Sequence, residues 1–205
     1  MKVILLNGSS HDDGATASLL KEVEDTLRSE GIETEVFFIG NDPIRDCIGC
    51  RKCASLGKCV FEDKVNEFVQ KARGADGFVF ASPVYYAHPS GRLLSFLDRA
   101  FYSGSSAFFH KPAAAVLSAR RAGTVASYDV INKYFGITSM PIVTSTYWNQ
   151  GYGNNKNESE QDIEGHDTMK NLALNMAWLL RCIDAGKKLG MDAPENKKRG
   201  MNFIR

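Results

Sequence analysis

Short apolar runs alternate with amphipathic stretches along nearly the whole chain, and this alternation restricts the fold more than any other feature. "KVILL" (2–6), "ETEVFFI" (33–39), "GFVFAS" (77–82), "AAAVLSA" (113–119) and "PIVTST" (141–146) have the length and content of buried strands. Between them, Leu19, Leu20, Val23 and Leu27 make one helical stripe over about 15–29, closed by Gly31. Val65, Phe68, Val69 and Ala72 make a second within 63–75, and 91–102 supplies a third. A weakly patterned stretch near 123–135 is read as helical. A closing helix over about 168–189 carries Leu172, Met176, Leu179, Leu180 and Ile183. Strands alternating with helices build a parallel sheet covered on both faces. Five strands suit a doubly wound α/β fold of strand order 2-1-3-4-5, with ligands beyond the carboxyl ends at the switch point between strands 1 and 3. We expect a single domain over residues 1–190, carrying a cysteine-rich insertion at 47–59, with 191–205 as a C-terminal tail.

Composition excludes several partners. Lys+Arg number 25 against 24 Asp+Glu, a formal net charge of +1, which leaves no electrostatic footprint for nucleic acid. No polybasic segment suggests a membrane surface. The opening "MKVILLNG" is too short for a signal-peptide core or a membrane span, so a cytoplasmic location is expected. In that compartment, clustered cysteines point to metal or redox chemistry more often than to structural disulfides.

The loop after the first strand, "NGSSHDDGAT", lies between a strand and a helix start. Backbone N–H groups there lack helical partners, and the helix dipole favours an anion. Ser9, Ser10 and Thr16 add hydroxyls, and Gly8 and Gly14 permit a tight wrap. Neither a Walker lysine nor a G-x-G-x-x-G fingerprint is present. The loop suits a monophosphate such as that of FMN; the alternative is a plain βα turn with Thr16 near the N-cap. Asp12 and Asp13 argue against a phosphate unless their side chains point into water. The loop after strand 3, "SPVYYAHPSG", offers a stiffening Pro83 and two tyrosines where a planar ring could rest, or else a structural turn.

Four of the five cysteines fall within thirteen residues, as Cys47, Cys50, Cys53 and Cys59. The C-x2-C-x2-C portion matches the ferredoxin-type run. An iron–sulfur cluster, a zinc ion, reduced thiols and a disulfide are the four readings of these residues. Cys182 and Trp178, on the apolar closing helix, are read as core. His88, His110 and His166 share no ligand spacing, Asp98–Arg99 is read as a structural ion pair or helix end, and "NKNESEQDIEG" as a solvated surface.

Taken in order, "LLNGSSHDDGAT", C-x2-C-x2-C followed by "GKCVFED", "ASPVYY…SGRLLSFLDRAF" and "YWNQGYG…QDIEGHDTMKNLALNMAWLL" resemble the NADPH-dependent FMN reductase and iron–sulfur flavoprotein group of flavodoxin-like proteins. The resemblance implies a flavodoxin-like fold. It implies an FMN phosphate cradle at Ser9, Ser10, Gly14, Ala15 and Thr16, and a flavin-ring loop at Pro83, Val84, Tyr85 and Tyr86. A further loop falls on Ser118 to Thr124, including Arg120 and Gly123. It also implies a [4Fe-4S] cluster on Cys47, Cys50, Cys53 and Cys59. Two departures stand out: His11 replaces an arginine common in the group, and "ARRAG" replaces a glycine-richer run. The second could supply Arg120 and Arg121 to a pyridine-nucleotide phosphate. The expected function is therefore an FMN oxidoreductase in which NAD(P)H, as co-substrate, reduces the flavin. Electrons then pass to a quinone, another small-molecule acceptor or the cluster. A non-enzymatic electron carrier is the alternative. No catalytic side chain is singled out. The aromatic segment Tyr147, Trp148 and Tyr152 suggests a homodimer or homotetramer with Trp148 near an interface or the flavin rim.

Overall fold

The computed structural model describes residues 1–197; of the expected tail, 198–205 lie outside the described residues. The chain runs β1 (Lys2–Asn7), α1 (Ala15–Ser29), β2 (Glu33–Phe38), α2 (Cys53–Leu56), α3 (Lys64–Arg73), β3 (Gly77–Tyr85) and β4 (His88–Pro89). It continues through α4 (Gly91–Gly104), β5 (Ala113–Ala119), α5 (Thr124–Ile137), β6 (Gln150–Tyr152), α6 (Lys156–Ser159) and α7 (Ile163–Lys188). The main sheet is parallel in the order β2-β1-β3-β5-β6, and β4 folds back on β3 as a short antiparallel hairpin. Without that hairpin strand the order is the expected 2-1-3-4-5, so the fold is flavodoxin-like.

Alternation along the strands produces two cores. Ile4 and Leu6 of β1 point with Phe78 and Phe80 of β3 toward α3, α4 and α5. Val3 and Leu5 point with Val79 and Ala81 toward α1 and α7. Phe68 of α3 anchors the first core, meeting Phe37 and Phe96 edge-on with ring centroids 5.2 Å apart in each pair. Such pairs add about 0.5–1.5 kcal/mol beyond their area burial.

The fifth expected strand moves. "PIVTST" at 141–146 forms a single bridge, Ile142 to Ala113, and the edge strand is Gln150–Tyr152 in register with Leu117–Ala119. Gly151 packs closely over α1: a Cβ there would lie 2.6 Å from the end of the Leu19 side chain, which would have to move to admit it. Tyr147 and Trp148 therefore precede the edge strand instead of following it past the carboxyl end of the sheet. Two core assignments on the closing helix also fail. Trp178 is 65% exposed and Cys182 is exposed, because both lie on the face of α7 opposite Leu172, Met176 and Leu180. The polar "NKNESEQDIEG" run is not merely a solvated surface. It contains α6, capped by Asn155, and Asp162, whose carboxylate caps α7 by accepting from Gly165 N–H. No described helix is long and apolar enough to cross a membrane.

Gly8 fixes where β1 ends. Its N–H donates to Ala81 O at 2.9 Å, and a Cβ would lie 2.7 Å from that same backbone oxygen. We expect Gly8→Ala to destabilise the protein by about 1–3 kcal/mol, as overpacking against an immobile atom does. A lowered urea midpoint with unchanged slope would show it.

Candidate functional site

Parallel pairing brings the loops after β1, β3 and β5 to one edge of the sheet. The first loop is stapled by Asn7, the last residue of β1. Its Oδ1 accepts from Ser9 N–H at 3.0 Å, and its Nδ2 donates to His11 O at 3.2 Å. Ser9 Oγ in turn accepts from His11 N–H at 3.1 Å. The first intrahelical bond of α1 is Ser18 N–H to Gly14 O, so the N–H groups of Ala15, Thr16 and Ala17 have no partner among the described residues. The N-cap is Gly14, with no side-chain cap bond, so Thr16 is not a cap. Its buried hydroxyl instead pairs with the buried Ser118 hydroxyl of β5 at 2.7 Å, joining the first loop to the third.

Asp12 and Asp13 are exposed, as a phosphate reading requires, and Lys156 of α6 pairs with Asp13 at 2.9 Å. The Asp13 hydrogen bond and charge hold the Lys156 ammonium above its ordinary range. Sequence reasoning missed a second cation. Arg92, in the first turn of α4, donates through Nη2 to Ser10 Oγ at 2.5 Å and through Nη1 to Gly40 O. Tyr85 OH also donates to Ser10 Oγ, at 3.3 Å. With two donors on its oxygen, the Ser10 hydroxyl keeps its own hydrogen free to donate.

In the ring loop, Pro83 and Val84 are half-buried, while Tyr85 is exposed and Tyr86 fully so. Tyr86 has φ +62°, an uncommon value for a bulky residue. Gly123, at φ +91°, closes against this loop; a Cβ there would lie 2.8 Å from Val84 Cγ1 and 3.4 Å from Ala87 O. Ser9, Ser10, Gly14, Ala15, Thr16, Pro83, Val84, Tyr85, Ser118 and Gly123 thus lie at the carboxyl ends of β3 and β5, at the start of α1 and in the turns beside them. Arg120 and Arg121 are exposed directly after β5.

The four clustered cysteines line one hollow of about 520 Å³, shared with Phe61, Arg99 and Tyr102. Left-handed turns at Gly49 (φ +63°), Arg51 (φ +57°) and Gly57 (φ +67°) curl the segment around it. Cys59 is buried, and its backbone exchanges hydrogen bonds with the Asn66 side chain at 2.9 and 3.0 Å. No disulfide joins any of the five cysteines. Among the described residues no three His, Cys, Asp or Glu side chains are gathered closely enough to hold one metal ion. A zinc ion needs its sulfurs about 2.3 Å from a common point. Four cysteines lining one hollow supply the donor chemistry of a thiolate-held metal or cluster.

Arg99, read from the sequence as a structural ion pair with Asp98 or a helix end, does form a structural ion pair, with a different partner. It pairs with Asp63, not with its neighbour Asp98, whose carboxylate accepts from Tyr134 OH at 2.6 Å. Burial works against the Arg99 charge, but Asp63 and the Cys59 sulfur outweigh it and hold the pKa above the ordinary arginine value.

The family model described as NADPH-dependent FMN reductase matches residues 1–155. An iron-sulfur flavoprotein of Methanocaldococcus jannaschii is 32% identical over 191 residues, which cover 89% of this chain and 99% of that protein. Among solved structures, RosB with bound 8-demethyl-8-formylriboflavin-5'-phosphate superposes with TM-score 0.70 at 15% identity, covering 100% of this chain and 92% of that one. A flavodoxin from the domain Archaea gives TM-score 0.61 at 13% identity, covering 88% and 99%.

The Thr16–Ser118 pair can be tested without any ligand. We expect Thr16→Val to cost about 1–3 kcal/mol, because a buried Ser118 hydroxyl loses its partner. Adding Ser118→Ala should recover part of that loss. A double-mutant cycle in urea reads the coupling.

Proposed function

This chain belongs to the NADPH-dependent FMN reductase family, and from that membership we propose that it is a flavin-dependent oxidoreductase that binds FMN, is reduced by NAD(P)H and passes electrons to a small-molecule acceptor such as a quinone. The observation that carries the reading is the convergence of the three loops. Ser9 and Thr16 hydroxyls, the Ser10 hydroxyl with its own hydrogen free and the free N–H groups of 15–17 all lie at one helix start. That set fits a phosphate dianion. Pro83, Val84, Tyr85 and Tyr86 then offer backbone and aromatic surface to the ring, with Gly123 and Ser118 behind them. Bound FMN would supply the hydride-accepting chemistry, and this chain's residues hold, orient and shield it. Arg120 and Arg121, exposed directly after β5, are the proposed contacts for the nucleotide phosphate.

The cysteines extend the same reading. Cys47, Cys50, Cys53 and Cys59 would ligate a [4Fe-4S] cluster that carries single electrons. The hollow they line and the turns between them support it. Residues 1–190 would form one flavin-binding domain with 47–59 as an insertion. Assembly as a homodimer or homotetramer belongs to the proposal too, with the half-exposed Tyr147–Trp148 pair at the sheet edge as its contact.

Flavin binding is tested by titrating FMN into wild type and the Ser9→Ala/Thr16→Val double variant. Each lost hydrogen bond to the dianion should cost roughly 1.5–3 kcal/mol of affinity; an unchanged affinity removes this loop from the site. After FMN loading, anaerobic NADPH or NADH should bleach the flavin, and a quinone should restore its colour. If neither nucleotide bleaches it while a reduced protein donor does, the chain is an electron carrier instead. Anaerobic reconstitution should incorporate about four irons per wild-type chain and fewer in Cys50→Ser.

A further inference from the structure

Arg99 is a large charged side chain with only 1% of its surface exposed, and it lies against the hollow that the cysteines line. Its five N–H donors are all engaged. Nη1 and Nη2 grip the Asp63 carboxylate at 2.7 and 2.9 Å. Their second hydrogens reach Arg45 O and Phe61 O, both at 3.3 Å. The remaining donor, Nε, points at Cys59 Sγ from 3.2 Å. The Phe61 ring covers the guanidinium at 5.0 Å. An ion pair with Asp63 uses only two of these donors. The Nε–sulfur bond is a separate contact, made to the most buried of the clustered cysteines.

A guanidinium held against a sulfur favours whichever state of that sulfur carries more negative charge. One-electron reduction of a [4Fe-4S] cluster adds one negative charge and no proton, the electron coming from the reduced flavin or, in a titration, from dithionite. Hydrogen bonds to the cluster sulfurs and the net charge around them are among the terms that set such potentials. Resting on the cluster reading above, we propose that Arg99 is a positioning residue that fixes the Cys59 sulfur and raises the reduction potential of the cluster. Asp63 is its counterweight. The carboxylate orients the fork, and its own charge pulls the potential down.

The test is a redox titration, followed by electron paramagnetic resonance, of the full chain reconstituted anaerobically with iron and sulfide. Iron content is measured in every sample first. At fixed potential, Arg99→Gln should raise the ratio of oxidised to reduced cluster at least tenfold, which for one electron is about 59 mV downward. Asp63→Asn should move the ratio the opposite way, since it keeps the side-chain shape but removes a negative charge. Opposite signs are the signature; a purely structural role would disturb both variants in one direction. An unchanged potential in Arg99→Gln at full iron content overturns the inference and leaves the cluster reading intact. So do shifts of the same sign in the two variants. If Arg99→Gln fails to fold or to hold iron, Asp63→Asn decides, and an unchanged or lowered potential there overturns it. A wild-type chain that takes up no iron overturns the cluster reading itself, and this inference with it.

Discussion

Parallel pairing of β1 with β3, and of β3 with β5, is the constraint on which the site depends. Each strand of a parallel sheet ends at the same edge, so Asn7, Tyr85 and Ala119 deliver their loops to one place. The registers leave little slack. Asn7 is level with Ala81, and Ala81 with Val116. The first loop therefore turns away while β3 still runs on, and the ring loop rises above it. Gly8 allows that turn because its backbone lies directly on Ala81 O. The Thr16–Ser118 bond then ties the helix start to β5 across β3. A slip of one residue would reverse every side chain between the two cores. The same alternation that builds the cores thus fixes the site.

The cysteine segment obeys a different logic. It has little core of its own: Ile48 and Leu56 are exposed, and α2 is four residues long. What holds it is polar. Asn66 clamps the Cys59 backbone, Asp63 caps α3 through Val65 N–H, and Arg99, reaching out of α4, joins Asp63, the Cys59 sulfur and the carbonyls of Arg45 and Phe61. An ion pair of this kind, with Arg99 buried and Asp63 a third exposed, adds little net stability over apolar packing, yet removing Asp63 strands the buried guanidinium. Such a device specifies geometry more than it stabilises, which suits a segment that has little apolar packing to fix its shape.

Much of this was legible in the sequence, for identifiable reasons. The stripe Leu19, Leu20, Val23 and Leu27 is wholly buried, as is Val65, Phe68, Val69 and Ala72, because each element packs one face on the sheet. Trp178 and Cys182 were misread as core although the periodicity could have corrected them. At 3.6 residues per turn, Trp178 lies about 200° around α7 from Met176. The shifted edge strand had a weaker signal. "PIVTST" is more β-like than "QGY", and the pairing that sets the edge is tertiary: Gln150–Tyr152 lies in register with Leu117–Ala119, and Gly151 packs on Leu19, a residue 132 positions earlier. The partner of Arg99 could not be found by local reading either. Its adjacent Asp98 invites a pairing that helix geometry forbids, since neighbours in sequence point about 100° apart.

The same principle accounts for the electrostatics of the first loop. The segment 8–16 contains two aspartates and no lysine or arginine, a poor composition for an anion site judged by itself. Folding changes the balance from outside the segment. Lys156 arrives from α6 to neutralise Asp13, and Arg92 arrives from α4 to polarise Ser10. Neither cation is needed to form the loop, whose backbone is already stapled by Asn7. Both depend on elements that follow β3 and β6. The positive charge beside the loop therefore appears only once the sheet has closed, so the electrostatics of this loop are set by complete folding, and on the proposed reading a bound phosphate would stabilise the closed sheet in return.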